Sequence, residues 1–379
     1  MASSNGYGST SSTSNLVFAY DIGDVNNCYL GEPTVNLANT DASRTLQQYA
    51  DNTVASADAP ERGPGWKKVT ITARGTNFRT AKFPYITQPT STIRTYSLEI
   101  DFNGTSGYYI RGDGFSGFSP NQYTSGIYTS TFTTTSNSGV LALFLNNNTT
   151  SVTGINDVIY YRYYQVENKL HRTPFTEGTR SATQGLLDLT GNVAIDLNNV
   201  SFNSNAQITF DGTDDYINLS PASVPTGNEI SVELICAWNG SLQANSIIAG
   251  GAGGNQDLSL HLPWSDGNVY WDAGRPFNRI YKYANSSEYL GNHHWVCTKN
   301  ANTGNMSIFL DGNLWHSGEG LTSSLPSLDS ASIGRYDNGV TRAYYYKGNA
   351  FVVKIYNKAL VLSEVQNNYQ NYKSRFNLP

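Results

Sequence analysis

The sequence predicts an all-β protein. Tyr occurs 26 times and Gly 35 times among 379 residues, while charged residues make up only 14% of the chain. Aromatic and β-branched residues favour strands, and Gly, Asn, Asp and Ser favour the turns between strands. Several short segments also alternate apolar and polar residues, which is the period of a strand with one buried face.

Charge and hydropathy exclude two classes of partner. The net charge is −5, whereas a nucleic-acid-binding surface needs clustered Lys and Arg. No run of 18 apolar residues occurs, so we expect no membrane insertion. The N-terminus has neither a basic nor an apolar signal region, so we expect synthesis without secretion and no disulfide framework among Cys28, Cys236 and Cys297. Cys236 and Cys297 lie in strand-like runs, which predicts that their thiols are buried.

The first 37 residues divide into two parts. Residues 1–14 are rich in Gly, Ser and Thr and predict a flexible N-terminal arm, because they offer little apolar surface to offset the entropy of ordering. A short apolar run follows at 16–20 and ends in turn residues. We interpret residues 15–37 as the region of an opening strand.

The middle of the chain has strands of its own. Val69, Ile71 and Ala73 alternate with polar residues, and the segment 96–102 follows the same period. Residues 159–167 predict a long strand with aromatic side chains on both faces.

The last third predicts strands and then one helix. Residues 293–315 read as three strands, with Asp311-Gly312 as a tight turn. Near the C-terminus, Ser363 and Gln366 predict a capping box at the start of a helix. The helix would present one apolar stripe, at the spacing of a helix packed on a sheet: Val365, Tyr369, Tyr372 and Phe376.

Three of these stretches together resemble laminin-G-like, or concanavalin A-like, jelly rolls encoded by tailed bacteriophages. The opening strand at 16–20 is similar to theirs, and the ending at 356–369 is the strongest match. The hairpin has residues in the places that the pattern of such domains marks, with Phe309 where that pattern often has Tyr: Trp295, Thr298, Gly304, Phe309 and Gly312. The resemblance implies a discontinuous jelly roll of about 220 residues, made of residues 15–37 and 183–379.

The intervening segment 38–182 is predicted to be an inserted domain. Its end, from Gln165 and Glu167 to Thr173-Pro174-Phe175, resembles the ending of carbohydrate-binding-module-like β-sandwiches in phage virion proteins. The expected fold is therefore two β-sandwich domains, one of them discontinuous, with a short C-terminal helix.

Aromatic loops are the candidate ligand-binding regions. Sugar rings present apolar C–H faces that stack on Trp and Tyr, while nearby polar groups bond their hydroxyls. The first candidate loop contains Trp264, Asp266, Tyr270 and Trp271, although both tryptophans could equally pack in the core. Weaker candidates of the same kind are Tyr336, Asp337, Tyr108 and Tyr123.

Metal binding and catalysis receive little support from the sequence. Asp211, Asp214 and Asp215 could supply oxygen ligands to calcium, but Asp-Gly at this position is also ordinary turn chemistry. No other cofactor is implied. A polysaccharide-cleaving enzyme needs two carboxylates roughly 5–10 Å apart across a cleft. Glu99 and Asp101 are better explained by the solvent face of a strand, so we expect no enzyme.

The resemblance implies a function on a phage particle. We expect a non-enzymatic virion protein, displayed as a tail fibre, an appendage or a capsid decoration, that binds host or environmental glycans for attachment. The N-terminal arm and Tyr-rich loops would contact other virion subunits, and a homo-oligomer is expected. The alternatives are a purely structural cement protein without glycan binding and, less favoured, a polysaccharide depolymerase.

Overall fold

A computed structural model describes residues 15–86, 91–105, 107–113, 121–133, 140–145, 154–203, 207–238 and 242–379. These residues form two compact units. Unit 1 contains the described residues of Met1–Pro33 and Ser181–Pro379, and unit 2 is Thr34–Arg180. The predicted N-terminal arm, residues 1–14, lies outside the described residues.

Strands dominate both units. Strands β1 to β28 span, in order, Leu16–Asp21, Thr34–Val35, Gln47–Gln48, Thr53–Asp58, Lys67–Ala73, Arg79–Lys82, Ile93–Asp101, Tyr108–Asp113, Gly126–Thr133, Val140–Leu145, Val158–Glu167, Thr179–Arg180, Asp196–Asn198, Ser201–Phe202, Ile208–Asp211, Tyr216–Leu219, Glu229–Trp238, Ile248–Gly251, Leu258–His261, Asn268–Ala273, Asn278–Tyr283, Gly291–Asn300, Asn305–Leu310, Asn313–Gly318, Ser330–Ile333, Tyr336–Asp337, Arg342–Ala343 and Lys347–Tyr356. The α-helices are α1, Ser286–Tyr289, and α2, Leu362–Phe376; short 3-10 helices span Ala42–Arg44, Pro60–Arg62 and Pro221–Ser223.

Unit 1 is a sandwich of two antiparallel sheets. The first, the α2-side sheet, has the order β14-β15-β28-β17-β22-β23-β24, with β1 also paired to β28. The second, the cleft-side sheet, has the order β13-β16-β25-β18-β19-β20-β21. One large apolar core contains the inward side chains of both sheets, including the fully buried Leu234, Leu260, Trp271 and Ile333.

Strand β28 has three neighbours. It pairs with β17 along one edge, while β15 and β1 share the other edge, opposite Lys347–Asn349 and Val352–Tyr356 respectively. The side chains reinforce the pairing, because the Tyr20 hydroxyl donates to the Ala350 carbonyl at 3.2 Å. Arg375 of α2 also pairs with Asp21 of β1. The two ends of the chain therefore meet in one sheet.

The hairpin predicted at 293–315 forms from β22, β23 and β24. Asp311 and Gly312 have φ angles of 49° and 78°, as a two-residue turn between right-twisted strands requires. Met306 and Ile308 point into the core, so the alternation inferred from the sequence is confirmed.

Helix α2 packs as the apolar stripe predicts, with Val365, Tyr369 and Tyr372 buried. Its start differs from the prediction. The helix begins at Leu362, and the Glu364 carboxylate accepts the Val361 N–H at 3.1 Å, so Ser363 is not the cap.

A buried polar network joins α2 to the sheet beneath it. The Glu233 carboxylate is fully buried and accepts hydrogen bonds from His294 Nε2 at 2.9 Å, the Tyr356 hydroxyl at 2.6 Å and Asn368 Nδ2 at 3.0 Å. Lys354 Nζ lies 3.9 Å from the same carboxylate. Burial alone would raise the pKa of Glu233, but the Lys354 charge, the His294 bond and the Tyr356 bond lower it to about 2.

Unit 2 has a five-stranded sheet, β4-β5-β11-β7-β9, and a four-stranded sheet, β3-β6-β10-β8. Its core is separate from that of unit 1 and contains Val69, Leu98, Leu143 and Tyr164 among other buried residues. The two ends of the unit pair with each other, since β2 and β12 form an antiparallel ladder with Thr34 opposite Arg180.

Strand β11 contains a β-bulge at Tyr163. Arg162 faces Glu99 and Gln165 faces Ser97, so β11 has one residue more than β7 over this stretch. Tyr163 has a φ of 57°, a left-handed conformation that costs a residue with a side chain about 1–2 kcal/mol. The extra residue shifts the alternation, and Tyr161 and Tyr164 both face the core.

The all-β prediction with one C-terminal helix is confirmed; the second helix, α1, has only four residues. All three cysteines are unbridged and buried; the sequence predicts burial for Cys236 and Cys297 only. Within the described residues, the helices are too short and too polar to cross a bilayer. The predicted domain organisation, with an insert over 38–182, remains a prediction.

Deleting residues 1–37 should abolish cooperative unfolding of unit 1, because it removes β1 and exposes the outer edge of β28. Tryptophan fluorescence reports mainly this unit, since five of the six tryptophans follow residue 183. A chain that begins at residue 15 is the matched control and should unfold normally. If residues 183–379 alone unfolded cooperatively at an unchanged temperature, the discontinuous domain would be disproved.

The Glu233→Gln variant should lose about 3 kcal/mol of stability at pH 7, because Lys354 is left charged and buried without its carboxylate. In the wild type the folded pKa lies below the unfolded value. The stabilisation is therefore complete above about pH 5 and falls as the pH drops toward about 2. Urea unfolding across this range should show a weaker pH dependence in the variant. The exposed Glu319→Gln is the control, and equal slopes in the two variants would contradict the argument.

Candidate functional site

A row of small and polar side chains crosses the outer face of the cleft-side sheet. Ser332, Ala249, Ser259, Asp272 and Arg279 are successive cross-strand neighbours on β25, β18, β19, β20 and β21. Because side chains alternate along a strand, the neighbouring residues point into the sandwich core. The outer face of this sheet therefore carries small and polar side chains, whereas its inner face is apolar.

A cleft of about 410 Å³ opens on this face. One wall comes from β19 to β21 and the loop before β20, and the other from the segment around β26 and β27. The lining residues are mainly aromatic or uncharged polar: Gln256, His261, Trp264, Tyr270, Arg279, Tyr336, Asn338, Thr341 and Tyr344.

The floor of the cleft is organised by the buried Asp272 carboxylate. Arg279 donates to it through both Nε, at 2.6 Å, and Nη2, at 2.8 Å. Gln256 Nε2 donates to the same carboxylate. The hydrogen bond with Asp272 raises the pKa of Arg279, so the guanidinium stays charged and is held in one plane. The Arg279 Cζ atom lies 4.7 Å from the centre of the Tyr270 ring.

The aromatic side chains form a connected set. Trp264 packs edge-on against Tyr344, with ring centres 5.1 Å apart, and Tyr344 contacts Tyr336 at 5.7 Å. Tyr270 stacks on Tyr281 at 5.2 Å. Such contacts restrict the rings to fixed orientations before any ligand arrives.

His261 is structural in this arrangement. Its Nδ1 lies 2.6 Å from the Asn245 carbonyl, while its Nε2 faces both Ser259 Oγ, at 2.9 Å, and Asp272 Oδ2, at 3.7 Å. Burial lowers its pKa, which favours the neutral ring. A catalytic triad needs the serine and the carboxylate on opposite ring nitrogens. Here both face Nε2, and Ser259 is fully buried.

The opposite wall is held by a turn. Asn338 Oδ1 accepts the N–H groups of Val340, at 3.1 Å, and Thr341, at 2.7 Å. Its Nδ2 donates to the Gly254 carbonyl at 2.7 Å and to the Tyr336 hydroxyl at 3.2 Å. The turn therefore positions Tyr336 at the cleft.

The structure brings three of the sequence-predicted residues together, since Trp264, Tyr270 and Tyr336 all line the cleft. Asp266 is exposed beside it and accepts the Tyr270 hydroxyl at 2.6 Å. Ligand binding by these residues stays a prediction.

Two predicted residues of unit 1 are not available to a ligand. Trp271 is fully buried in the core, where its Nε1 donates to the Thr298 carbonyl at 3.1 Å. It lies next to Tyr270 on β20 and therefore points to the opposite face. Asp337 is 2% exposed and pairs with Arg335 at 2.9 Å and Arg342 at 3.2 Å. The sequence-based assignment of both to a binding surface is corrected.

The two predicted tyrosines in unit 2 have different environments. Tyr108 is buried in the core of that unit and donates to Asp157 at 2.9 Å, so its proposed surface role is corrected. Tyr123 is about half exposed and packs against Tyr109, with ring centres 5.1 Å apart.

Sequence reasoning missed four residues of the cleft lining: Gln256, Arg279, Thr341 and Tyr344. Asp272 and Arg279 have opposite charges and face each other across β20 and β21. Aligning these two strands as a hairpin in the sequence would have revealed this pair. Tyr344 begins a run of three tyrosines, which marks it as unusual but does not say which way it points.

The acidic turn satisfies its own hydrogen bonds. Asp211 Oδ1 accepts the N–H groups of Thr213 and Asp214, and Asp215 Oδ2 accepts the Asp211 N–H at 2.8 Å. Oxygens of the three carboxylates lie within 4.8 Å of one another. Burial, with the two neighbouring carboxylates, raises the pKa of Asp215 to about 6. These bonds account for the turn, and calcium binding here stays a prediction.

The carboxylates Glu99 and Asp101, weighed as a catalytic pair, are each paired with an arginine of unit 2. Glu99 binds Arg162 Nε at 2.7 Å and Asp101 binds Arg62 at 2.5 Å. Both oxygens of Asp272, which is buried beneath the cleft, are likewise engaged.

Comparison with known proteins supports the fold of unit 1. Residues 211–366 match the laminin-G-type family model described as the concanavalin A-like lectin/glucanases superfamily. The fold is thus a jelly-roll-like lectin fold, as the sequence predicts. No curated protein matches the chain.

Several solved structures are similar to the chain. The binding domain of botulinum neurotoxin DC, in complex with SialylT, is 13% identical over 50% of this chain and 50% of its own length, with a TM-score of 0.38. The chain thus spans half of that domain. The serotype G binding domain is 17% identical over 50% and 49%, with a TM-score of 0.39. Domain 4 of AbnA, an extracellular arabinanase from Geobacillus stearothermophilus, in complex with arabinotriose, is 17% identical over 49% and 92%, with a TM-score of 0.39.

Proposed function

We propose that this chain is a non-enzymatic virion structural protein of a bacteriophage that binds cell-surface glycans through the cleft of unit 1. The observation that carries the glycan part is the composition of the cleft. Aromatic side chains line it together with a guanidinium and two amide side chains that are already held by hydrogen bonds.

Such a lining suits a saccharide. The faces of Trp264 and Tyr270 offer apolar area for the C–H face of a sugar ring, while Gln256, Arg279 and Thr341 offer donors and acceptors for its hydroxyls. The volume of about 410 Å³ lies in the usual range for small-molecule sites and would hold one or two sugar residues. Because Asp272 fixes the arginine in advance, binding would cost little side-chain entropy.

The cleft favours binding over cleavage. Glycoside hydrolysis needs one carboxyl group that donates a proton and a second that acts as base or nucleophile. The Asp272 carboxylate is occupied by Arg279 and Gln256, and Asp266 holds the Tyr270 hydroxyl. We therefore propose that the cleft binds and releases glycans without cleaving a glycosidic bond.

The virion assignment extends the resemblance of the opening strand, the hairpin and the C-terminal helix to phage-encoded jelly rolls. The protein would be displayed as a tail fibre, an appendage or a capsid decoration and would form a homo-oligomer. The N-terminal arm and Tyr-rich loops would contact other virion subunits, and host or environmental glycans would be the external partners.

The Trp264→Ala variant should bind glycans at least tenfold more weakly at the unit 1 cleft, because it removes the largest apolar face of the lining. A glycan array would identify the ligand, and calorimetry with that glycan would give the affinities. Tyr85→Ala, which removes a half-exposed ring of unit 2, is the control and should bind normally. Equal affinities for Trp264→Ala and the wild type would exclude the cleft, and release of reducing ends by the wild type would instead establish a depolymerase.

Purified phage particles that encode this chain should contain it, on their outer surface. Mass spectrometry of the particles, followed by reconstruction and labelling with an antibody, would locate it. Absence from purified particles would overturn the virion assignment. A copy number matching the capsid lattice, with binding to no glycan, would favour the cement alternative.

A further inference from the structure

One side of the unit 1 cleft is the wall formed by the segment around β26 and β27. Strand β26 lies beside β18 and β25, so the wall stands over that part of the cleft-side sheet. The next two strands of the sheet supply the floor, because His261 of β19 and Tyr270 of β20 both line the cleft. The cleft therefore has β19 along its floor, next to the wall.

The wall is joined to the loops at both ends of β19. Before the strand, the Gly254 N–H donates to the Asn338 carbonyl at 3.1 Å, and Asn338 Nδ2 donates to the Gly254 carbonyl at 2.7 Å. After the strand, the Trp264 ring contacts the Tyr344 ring, with centres 5.1 Å apart. Since Asn338 and Tyr344 belong to the wall, the cleft is closed at both ends as well as along the wall.

The remaining side of the cleft faces the edge of the sheet. Among the described strands, β21 is the last of the cleft-side sheet. His261, Tyr270 and Tyr281 are cross-strand neighbours on β19, β20 and β21 and form a row that leads to this edge. They lie on the same face as Asp272 and Arg279, because strand residues two apart point the same way. Exposure rises along the row, from 4% for His261 to 55% for Tyr281.

The Tyr281 ring has one free face. Its other face stacks on Tyr270 of the preceding strand, with ring centres 5.2 Å apart. Because β21 is the edge strand, the face turned away from Tyr270 points off the sheet. The opening of the cleft therefore leads to an exposed aromatic surface.

A site closed on three sides does not suit the middle of a polymer. An internal stretch of a glycan needs a groove open at two opposite ends, because the chain continues in both directions. The unit 1 cleft has one open side, and its volume of about 410 Å³ would hold one or two sugar residues. The end of a chain fits this shape, because only one side of the last residue carries the rest of the chain.

We propose that the cleft binds the terminal residue of a glycan chain, and that the following residues leave across β21, where one of them stacks on the free face of Tyr281. This inference rests on the proposed function and specifies its class of ligand. The terminus is the non-reducing end, because a glycan attached to a cell surface through its reducing end presents only the other end. Stacking on Tyr281 adds affinity for longer chains.

The first experiment measures binding of the full-length chain to arrayed oligosaccharides of two to six residues, coupled through their reducing ends. The test pairs differ by one residue of another sugar added at the non-reducing end, which makes the former terminal residue internal. The added residue should lower the affinity at least tenfold, because the closed wall leaves no room for it. Residues added next to the coupling point should not weaken binding.

The second experiment tests the path across β21. Tyr281→Ala should bind two-residue glycans normally, which also shows that it is folded, but should lose the gain in affinity that longer glycans give the wild type. Tyr283→Ala is the matched control on the same strand. Tyr283 is 60% exposed and faces Asn268, outside the row, so this variant should keep the gain.

The third experiment opens one end of the cleft. Tyr344 has a φ of 54°, a left-handed conformation that Gly adopts readily, so Tyr344→Gly should fold. It removes the ring that meets Trp264 and should let the added residue pass. The tenfold difference within the test pairs should narrow to a few-fold.

Equal affinities of the wild type for both members of the test pairs would overturn the proposal and leave glycan binding at the cleft intact. So would a wild type without a gain for longer glycans, or equal effects of Tyr281→Ala and Tyr283→Ala. An unchanged tenfold difference in Tyr344→Gly would show that the wall does not exclude the added residue. Binding to no glycan, or binding that Trp264→Ala does not weaken, would instead overturn the proposed function and this inference with it.

Discussion

The architecture of unit 1 depends on strand β28, because β28 pairs with three other strands, β1, β15 and β17. Its partner β1 comes from the other end of the chain, and the Tyr20–Ala350 hydrogen bond spans 330 residues of sequence. Such long-range pairing is slow to form, since the entropy of closing the loop is lost before any contact is gained. Strand β28 also supplies Val352, Val353 and Ile355 to the sandwich core, and Lys354 and Tyr356 to the polar network under α2.

The spacing of the side chains in the cleft is determined by the strands on which they lie. Asp272, Arg279 and Tyr270 lie on adjacent strands with continuous pairing, so their spacing is set by backbone hydrogen bonds and not by loop conformation. Binding groups on regular elements hold their geometry better than groups on loops. The opposite wall depends on the Asn338 side chain, which makes two hydrogen bonds within its turn, one to the Tyr336 hydroxyl and one to the Gly254 carbonyl.

The sequence predicted the elements better than the site. The turn at Asp311-Gly312 and the stripe on α2 follow from local rules, and both are present. Alternation predicts that Tyr270 and Trp271 point to opposite faces, but it does not say which face is buried, and Trp271 was wrongly placed. The bulge at Tyr163 could not be predicted at all. It is set by which residues the core of unit 2 needs, and no local signal such as a glycine marks it.

The ladder between β2 and β12 holds the two ends of unit 2 together. Its first and last residues, Thr34 and Arg180, face each other in one antiparallel pair, and Leu30 N–H donates to the Gly185 carbonyl just outside it. The chain therefore enters and leaves unit 2 at two points that are no farther apart than two neighbouring strands. Domain insertions are tolerated where the entry and exit points lie this close together, so the predicted insert could be exchanged for another segment whose ends are equally close.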